Sequence, residues 1–192
     1  MNELDRFTDA IRQLHQQKST AYGNAWKRRG EQISIMANLA RKADRLETIA
    51  SGSPASQDET TLDTTIDLLV YSLKYLTYLA DQDTAVAVSL GLTAIPGHGL
   101  SDGTTGFEQL LARTSLSAVV DEPAFEAAPA ATLVIQRFAE LQACFGPVGA
   151  DAAATVRSAH VSRLLEACIA LAGALRHQDP LSYQRFLSAW AD

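Results

Sequence analysis

The stretch from position 59 to position 76 constrains the fold most strongly, because it carries a complete apolar helix stripe beside a row of acids. The apolar residues follow the spacing of three and four that one face of an α-helix requires; they are Leu62, Ile66, Leu69, Leu73 and Leu76. Glu59, Asp63 and Asp67 recur every four residues next to this stripe, and Tyr71 continues their row. An unpaired buried carboxylate is costly, so either cations pair with these acids or the acids lie on a solvated edge.

Helical periodicity continues over most of the chain, with no internal repeat and no alternation of strands with helices. We predict helices at 2–17, 30–49, about 58–81, 130–145, 150–177 and 181–191, with a break at Gly23 and Asn24. Residues 107–113 are predicted as one or two helical turns and 121–123 as the start of another helical piece. Segment 84–92 is a short helix or a short strand, and 95–106 is a long loop. The pattern predicts a single all-α domain over 1–192, folded as a helical bundle.

Two of these helices have apolar stripes that identify their inward faces. In the helix predicted at 30–49 the inward residues are Ile33, Met36, Leu39, Ala43 and Leu46. In the helix predicted at 150–177 the inward residues are Val156, Val161, Leu164, Leu165, Ile169, Leu171 and Leu175. This second helix is rich in Ala and Leu and has more apolar face than one neighbour covers, so it indicates either a large bundle or a homodimer interface.

The charge is unevenly distributed along the chain. The net charge is −6, and residues 1–80 carry ten Lys/Arg and ten Asp/Glu, whereas residues 81–192 carry six Arg, no Lys and twelve Asp/Glu. An acidic chain without a long basic tract is a poor binder of duplex nucleic acid, because that binding requires many phosphate contacts. A small phosphorylated ligand needs only a few local cations, and the first half of the chain has them.

The location and the cysteine chemistry follow from simple composition. No apolar run is long enough to cross a bilayer, and the acidic, amphipathic residues 1–5 do not resemble a secretory signal. We therefore expect a cytoplasmic protein that makes no membrane contact. Cys144 and Cys168 each lie in an apolar helical pattern, which favours buried free thiols over a disulfide in that compartment.

The helix predicted at 30–49 carries bases along one side, and the helix that follows it carries the acid row. Glu31, Lys42 and Arg45 follow one side of the helix at 30–49, and a short loop connects that helix to the acid row. If the two helices are antiparallel, the acids can build a divalent-cation site between them, with Lys42 and Arg45 holding phosphate oxygens. The alternative is a set of interhelical salt bridges at the bundle surface.

Two further features each have a functional and a structural interpretation. Lys18, Tyr22, Gly23 and Trp26 place aromatic rings beside a glycine turn, which either stacks a nucleobase or anchors the turn in the core. His98 and Asp102 lie in the glycine-rich loop at 95–106, which is either a lid with a titrating histidine or an ordinary solvated loop.

Taken together, these motifs resemble the nucleotide-modification-associated domain type 1. The matching residues are Lys18, Tyr22, Gly23 and Trp26, then Lys42, Arg45 and Leu46, then Glu59, Asp63, Asp67, Leu68 and Tyr71. The pattern is also distantly similar to the all-α nucleoside triphosphate pyrophosphatases of the MazG and dimeric dUTPase group. The resemblance covers about residues 10–80, which leaves 81–105 as a loop-rich connector and 106–192 as additional C-terminal helices around a MazG-like four-helix core.

The resemblance implies a role for each matching residue. Glu59, Asp63 and Asp67 would hold Mg²⁺ with Glu31, and Asp63 or Asp67 would act as the catalytic base. Lys42 and Arg45 would contact phosphates, and Tyr22 and Trp26 would shape the base pocket. Lys18 and Tyr71 would also be substrate-binding residues. The pyrophosphatases carry a pair of glutamates on the second helix, whereas here Glu31 is followed three residues later by Ser34.

Two functions therefore remain open at the level of sequence. The first is Mg²⁺-dependent hydrolysis or processing of a nucleotide between its phosphates, with the metal polarising phosphoryl oxygens and activating a water. The second is a non-catalytic helical module that binds a nucleotide or a protein, with the acid row held in structural salt bridges.

Overall fold

The computed structural model describes residues 1–52, 60–94, 96–146 and 151–190, which form helices and turns with no strand among them. The α-helices are α1 (Glu3–Tyr22), α2 (Ala37–Ala50), α3 (Thr61–Gln82), α4 (Thr84–Ser89), α5 (Thr105–Leu111), α6 (Ala127–Gln142), α7 (Ala154–Gln178) and α8 (Pro180–Trp190). Short 3₁₀ turns occupy Gly23–Trp26 and Ser117–Val119, and a π-helical turn, Glu31–Met36, leads into α2. The prediction of an all-α helical bundle is confirmed.

Four helices form the centre of the bundle. Helix α3 packs against α2 and α7, and α6 packs against the same two helices from the other side, so the four close around one core. The five leucine and isoleucine positions predicted as the α3 stripe are all buried. The central bundle therefore draws α2 and α3 from the first half of the chain and α6 and α7 from the second.

Helices α1 and α8 pack on each other and cover the outside of α3. The contact is aromatic, because Phe7 of α1 stacks on Tyr183 of α8 with ring centroids 6.0 Å apart and also touches Phe186. This second layer places the polar end of α1 over the middle of α3, where the candidate site lies.

The relative direction of α2 and α3 follows from two contacts. Lys42 on α2 pairs with Asp67 on α3, and Glu31 at the start of the same helical segment bonds to Tyr75, further along α3. The contact that lies earlier in the α2 segment lies later in α3. The two helices are therefore antiparallel, as the short connection predicts.

Helix α7 is the core helix of the bundle. Contrary to the expectation from the sequence, it is long and apolar enough to cross a membrane, the one such helix among the described residues. However, 67% of its apolar window is buried inside the protein. Gly173 allows a close crossing, since a Cβ there would lie 2.3 Å from the carbonyl oxygen of Ala118. Packing between α3 and α6 buries most of this apolar surface, and a homodimer interface on α7 stays a prediction.

The structure differs from the predicted elements at several places. Helix α1 continues through Tyr22 instead of ending near 17. Residues 121–123 do not begin a helix but form a bend, and α6 begins only at Ala127. Ile33 is 68% exposed because the π-helical turn widens the backbone and turns Ile35 inward instead, whereas Met36 is buried as predicted. Val156 is exposed because it lies in the first turn of α7, at the margin of the core.

Two alternatives are decided by the described residues. Segment 84–92 contains the helix α4 and no strand. Cys144 and Cys168 are both free and buried, as predicted. Burial raises the pKa of the Cys168 thiol.

Asp63 has a clear local role at the start of α3. Its carboxylate accepts a hydrogen bond from the backbone N–H of Thr60 at 2.8 Å, and its own N–H donates to Thr60 Oγ1 at 3.1 Å. These two bonds form a capping box, which satisfies backbone donors that the helix cannot satisfy itself.

We predict that Asp63→Ala lowers the free energy of unfolding by about 1 kcal/mol, because it removes one half of this cap. Asp5→Ala is the matched control, since Asp5 occupies the same position in the capping box of α1. Chemical denaturation in the presence of a chelator measures both. A stabilised Asp63→Ala protein would contradict the capping role, because it would indicate carboxylates that repel one another at a metal site.

Candidate functional site

A cavity of about 400 Å³ lies where α1, the 3₁₀ turn, the start of α2 and the middle of α3 meet. The structure brings five of the predicted site residues together on its walls: Lys18, Tyr22, Trp26, Asp67 and Tyr71. Such a volume is within the usual range for sites that bind small molecules. We call this space the lysine cavity, because Lys18 and Lys74 line it.

The backbone between α1 and α2 forms one wall of the lysine cavity. Gly23 ends α1 with φ of 49° and ψ of −128°, a conformation that a residue with a side chain rarely adopts. The chain then makes one 3₁₀ turn that buries Trp26 while Tyr22 stays 69% exposed at the rim. The glycine that sequence reasoning identified as a break therefore separates a buried ring from an exposed one.

Asp67 is the acid at the edge of the cavity. It accepts from Lys18 Nζ of α1 and lies 2.7 Å from Lys42 Nζ of α2, so one carboxylate of α3 binds two other helices. Burial alone raises the pKa of Asp67, but the two ammonium groups outweigh it and leave the pKa below its usual value. Asp67 is therefore a charged group that is already shared by two cations.

Lys74 is the least compensated charge in the cavity. It is only 9% exposed, and no salt bridge to it occurs among the described residues. Its Nζ lies 4.5 Å from the centroid of the Trp26 ring, a cation–π distance. Burial, with the positive charges of Lys18 and Lys27, lowers the pKa of Lys74 to about 8.

Two of the four lysines of the chain line this cavity, and the other two contact residues of its wall. Lys18 and Lys74 line the cavity, and Lys42 lies behind Asp67. Lys27 stands 6.0 Å from the Trp26 centroid, where Asp102 and Ser101 hold it at 2.7 and 2.6 Å. Ammonium groups are therefore concentrated in and beside the lysine cavity.

The loop that holds Lys27 is itself tied to the end of α3. The carboxylate of Asp81 accepts from the backbone N–H of Leu100 at 2.6 Å and of Ser101 at 2.9 Å. Asp102 thus has a defined partner, Lys27, at one side of the site. His98, predicted as a possible titrating group, is exposed and follows the turn at 96–97.

His15 is the neutral polar group of the cavity. It is 1% exposed, stacks on Phe107 with ring centroids 3.6 Å apart, and its Nδ1 has no hydrogen-bond partner among the described residues. Burial, with the charge of Lys74 in second place, lowers the pKa of His15 to about 3. The ring is therefore uncharged at neutral pH.

The π-helical turn orders the mouth of the cavity. Asn38 donates to the carbonyl of Ser34 at 2.7 Å, which satisfies a backbone acceptor within this irregular turn. The amide oxygen of Asn38 accepts from Arg41 Nη2 at 3.2 Å. Arg41 is exposed and lines the cavity, so its guanidinium is oriented at the opening.

Among the predicted magnesium ligands that the structure describes, Glu31 lies apart from Asp63 and Asp67. Glu31 forms a two-point pair with Arg157 of α7, at 2.8 and 3.1 Å, and accepts from Tyr75, whose pKa is raised by burial. Tyr75 follows Asp67 by eight residues, which is about 12 Å along a helix. Glu31 therefore links α2, α3 and α7 instead of joining Asp67.

Within the described ranges, no three His, Cys, Asp or Glu side chains form a group that could hold a metal ion. Asp63 caps α3, and each oxygen of Asp67 faces a lysine. Protein donors therefore engage these carboxylates in this structure, and Mg²⁺ binding stays a prediction. Glu59 lies outside the described residues, so its assignment as a ligand stays a prediction.

Neither Lys42 nor Arg45 lines the lysine cavity. Lys42 lines a smaller cleft of about 280 Å³ that lies on the far side of the Lys18–Asp67 pair and also contains Asp63. Phosphate binding by Arg45 stays a prediction, since its side chain already interacts within the protein.

Larger clefts elsewhere lack this chemistry. A cleft of about 570 Å³ between the start of α1 and α8 contains Arg176, which Glu3 neutralises through bonds of 2.7 and 2.9 Å. A third cleft of about 580 Å³ beside Phe125 carries Glu122 and Glu126 and no lysine. The lysine cavity is therefore the best candidate site in the part of the chain that the structure describes.

The geometry defines a class: an all-α protein with a cationic, aromatic-walled cavity between its outer helix and its central bundle. Comparison with protein-family models, with curated protein sequences and with solved structures gave no match to this chain. The resemblance to the nucleotide-modification-associated domain type 1 and to the MazG group stays a prediction.

Sequence reasoning missed His15, Asn38, Arg41 and Lys74. A signal for Lys74 was present, because it is the only basic residue of α3 and follows Asp67 by seven residues and Tyr71 by three. Those spacings place the three on one helix face. His15 gave no such signal, since its contact with Phe107 joins distant parts of the chain.

We predict that Asp67→Asn lowers the free energy of unfolding by about 3 kcal/mol, because it leaves partly buried cations without their carboxylate. Asp102→Asn is the control, since Asp102 is 38% exposed in its pair with Lys27 and an exposed pair contributes less than about 1 kcal/mol. Urea unfolding at pH 7 measures both losses. Equal losses in the two variants would contradict the role given to Asp67.

We also predict a pH dependence that originates at His15. Between the ordinary pKa of 6.5 and the folded pKa of about 3, the unfolded chain binds a proton at His15 and the native state does not. The free energy of unfolding therefore decreases as the pH is lowered through this range. The expected loss from this residue between pH 7 and pH 4.5 is about 2 kcal/mol. His15→Phe, which retains a flat ring against Phe107, should flatten the stability profile in this window, and an unchanged profile would refute the assignment.

Proposed function

We propose that this protein binds a small anionic molecule with a flat ring, of the phosphorylated nucleoside class, in the lysine cavity. The observation that carries the proposal is Lys74, a buried ammonium group with no carboxylate partner among the described residues. A buried charge without a partner is expensive, and proteins retain such groups mainly at functional sites.

The energetic argument follows from the protonation of Lys74. With a pKa of about 8, the side chain is mostly charged at pH 7 while it is shielded from water. Lys18 and Lys27 add to the unfavourable energy, because each contributes positive charge nearby. An anion bound in the cavity would offset this unfavourable electrostatic energy, so the apo protein is expected to favour anion binding.

The shape of the ligand is inferred from the walls. Tyr22 at the rim, Tyr71 on α3 and Trp26 on the inner wall present aromatic surface to the cavity. Rings of this kind stack flat heterocycles without strong preference among the bases. An aliphatic phosphate would leave this surface unused.

Arg41 and Lys18 are the cations best placed for the phosphate end. Arg41 lies at the opening and offers a planar fork that suits phosphate oxygens. Lys18 retains hydrogen-bonding capacity beyond Asp67, since an ammonium group has three donors. The ring would then occupy the inner part of the cavity.

The proposal is for binding, and it does not include hydrolysis. The carboxylates that would hold Mg²⁺ in a pyrophosphatase are engaged by Arg157, Thr60, Lys18 and Lys42 in the described residues. The resemblance in residues 10–80 supports the choice of a nucleotide-like ligand. Magnesium-dependent turnover and homodimer formation stay predictions from the sequence.

Lys74→Met tests the proposal. We expect the apo variant to be more stable than the wild type at pH 7 by about 1–2 kcal/mol, because an uncompensated buried charge is removed. We expect its affinity for phosphorylated nucleosides to fall at least about tenfold, since one charge is lost. Calorimetry with a panel of nucleoside mono- and triphosphates, in the presence of a chelator, measures the affinity.

Two variants make this test specific. Lys74→Arg retains the charge and should retain most of the affinity, and Arg137→Met removes one charge from α6, where Arg137 pairs with Glu140. A Lys74→Met protein that binds as well as the wild type, or a panel in which no nucleotide binds, would overturn the proposal.

A further inference from the structure

We propose that Lys74 is a nucleophilic amine, and that a phosphorylated aromatic aldehyde bound in the lysine cavity condenses with it to form an imine. This inference rests on the proposed function, because the same cavity supplies the anion contacts and the aromatic walls. It adds a covalent step and a chemical class of ligand, an anionic carbonyl compound, to that function.

The surroundings of Lys74 are those of an activated amine. The side chain is buried but lines the cavity, and it faces the Trp26 ring instead of a carboxylate. A lysine in a largely apolar pocket beside other cations is the usual arrangement of a lysine that forms Schiff bases. The other three lysines each have a carboxylate partner, either Asp67 or Asp102.

The charged groups around Lys74 come from every side of the cavity. Helix α1 contributes Lys18 and the neutral His15, the segment after the 3₁₀ turn contributes Lys27, and α2 contributes Arg41. Asp67 on α3 is the nearest acid along the helix, but it is bound by Lys18 and Lys42. Burial and these positive charges lower the pKa of Lys74 to about 8, so a useful fraction of neutral amine exists near neutral pH.

The reaction is balanced without an oxidant or a reductant. The lone pair of Lys74 Nζ attacks the carbonyl carbon, the C=O π bond breaks, and the nitrogen loses a proton while the oxygen gains one. The carbinolamine hydroxyl then takes up the proton that the Lys74 ammonium group released on becoming the neutral amine. The hydroxyl leaves as water while the nitrogen lone pair forms the C=N bond. The protonated imine retains one positive charge, so the anion in the cavity remains compensated.

His15 is the group that this chemistry would use for positioning. Its imidazole is uncharged, fixed against Phe107 and has an Nδ1 without a partner among the described residues. Such a ring can hydrogen-bond to the hydroxyl of the carbinolamine without competing for the charge of the ligand.

Pyridoxal 5′-phosphate is a suitable probe, because it is a flat phosphorylated aldehyde. The purified protein is incubated with the probe between pH 6 and pH 10, the imine is reduced with borohydride, and peptides are mapped by mass spectrometry. Only four lysines and the terminal amine can react. We expect Lys74 to be modified at least about tenfold more than any other lysine at pH 7.5, with a midpoint near pH 8.

Pyridoxine 5′-phosphate, which has the same ring and phosphate but no aldehyde, separates the two claims. Suppose that pyridoxine 5′-phosphate binds, but pyridoxal 5′-phosphate does not modify Lys74 in preference to the other lysines, or modifies all lysines evenly and only above pH 10. The covalent inference is then overturned and the binding function stands. If neither compound binds, both fail. Lys74→Arg should lose the adduct, because a guanidinium group is not a nucleophilic amine, and an adduct of undiminished yield in this variant would also refute the inference.

Discussion

The carboxylate of Asp67 is the interaction on which the arrangement of the site depends. It joins Lys18 of α1 and Lys42 of α2 to α3, so it attaches the outer helix to the central bundle at one point. A pair buried this far contributes little net stability but is costly to break, and its main effect is to define geometry. Because Lys18 is held there, the cavity between α1 and α3 has a fixed wall, and Lys74 faces it two turns further along.

The lysine cavity illustrates a conflict between stability and function. The fold compensates three of its four lysines with Asp67 and Asp102 and leaves Lys74 buried without a carboxylate among the described residues. That arrangement lowers the stability of the apo protein, and it is the reason to infer an anionic ligand. The ion pair of Glu31 with Arg157 shows the contrast, because there a buried charge has a full set of partners and holds helices together.

The sequence predicts the helices well and the site only in part, for a physical reason. Amphipathic spacing is local, so the α3 stripe and the break at Gly23 follow directly from it, and Lys18, Tyr22 and Trp26 are found together as expected. The partners of an acid are non-local. Glu31 is bound by a residue 126 positions away, and no spacing rule indicates that. The π-helical turn that exposes Ile33 likewise depends on tertiary contacts, since its sequence also fits a regular helix.

The titration of Lys74 is the most direct test of the account. With only four lysines, a carbon-13 label on the lysine side chains gives four signals that can be assigned by single substitutions. The account predicts that Lys74 titrates near pH 8 in the apo protein, and that a bound phosphorylated nucleoside moves its pKa back towards 10.5, because the anion stabilises the charged form. A Lys74 signal that titrates near 10.5 in the apo protein, and does not respond to any such ligand, would contradict it.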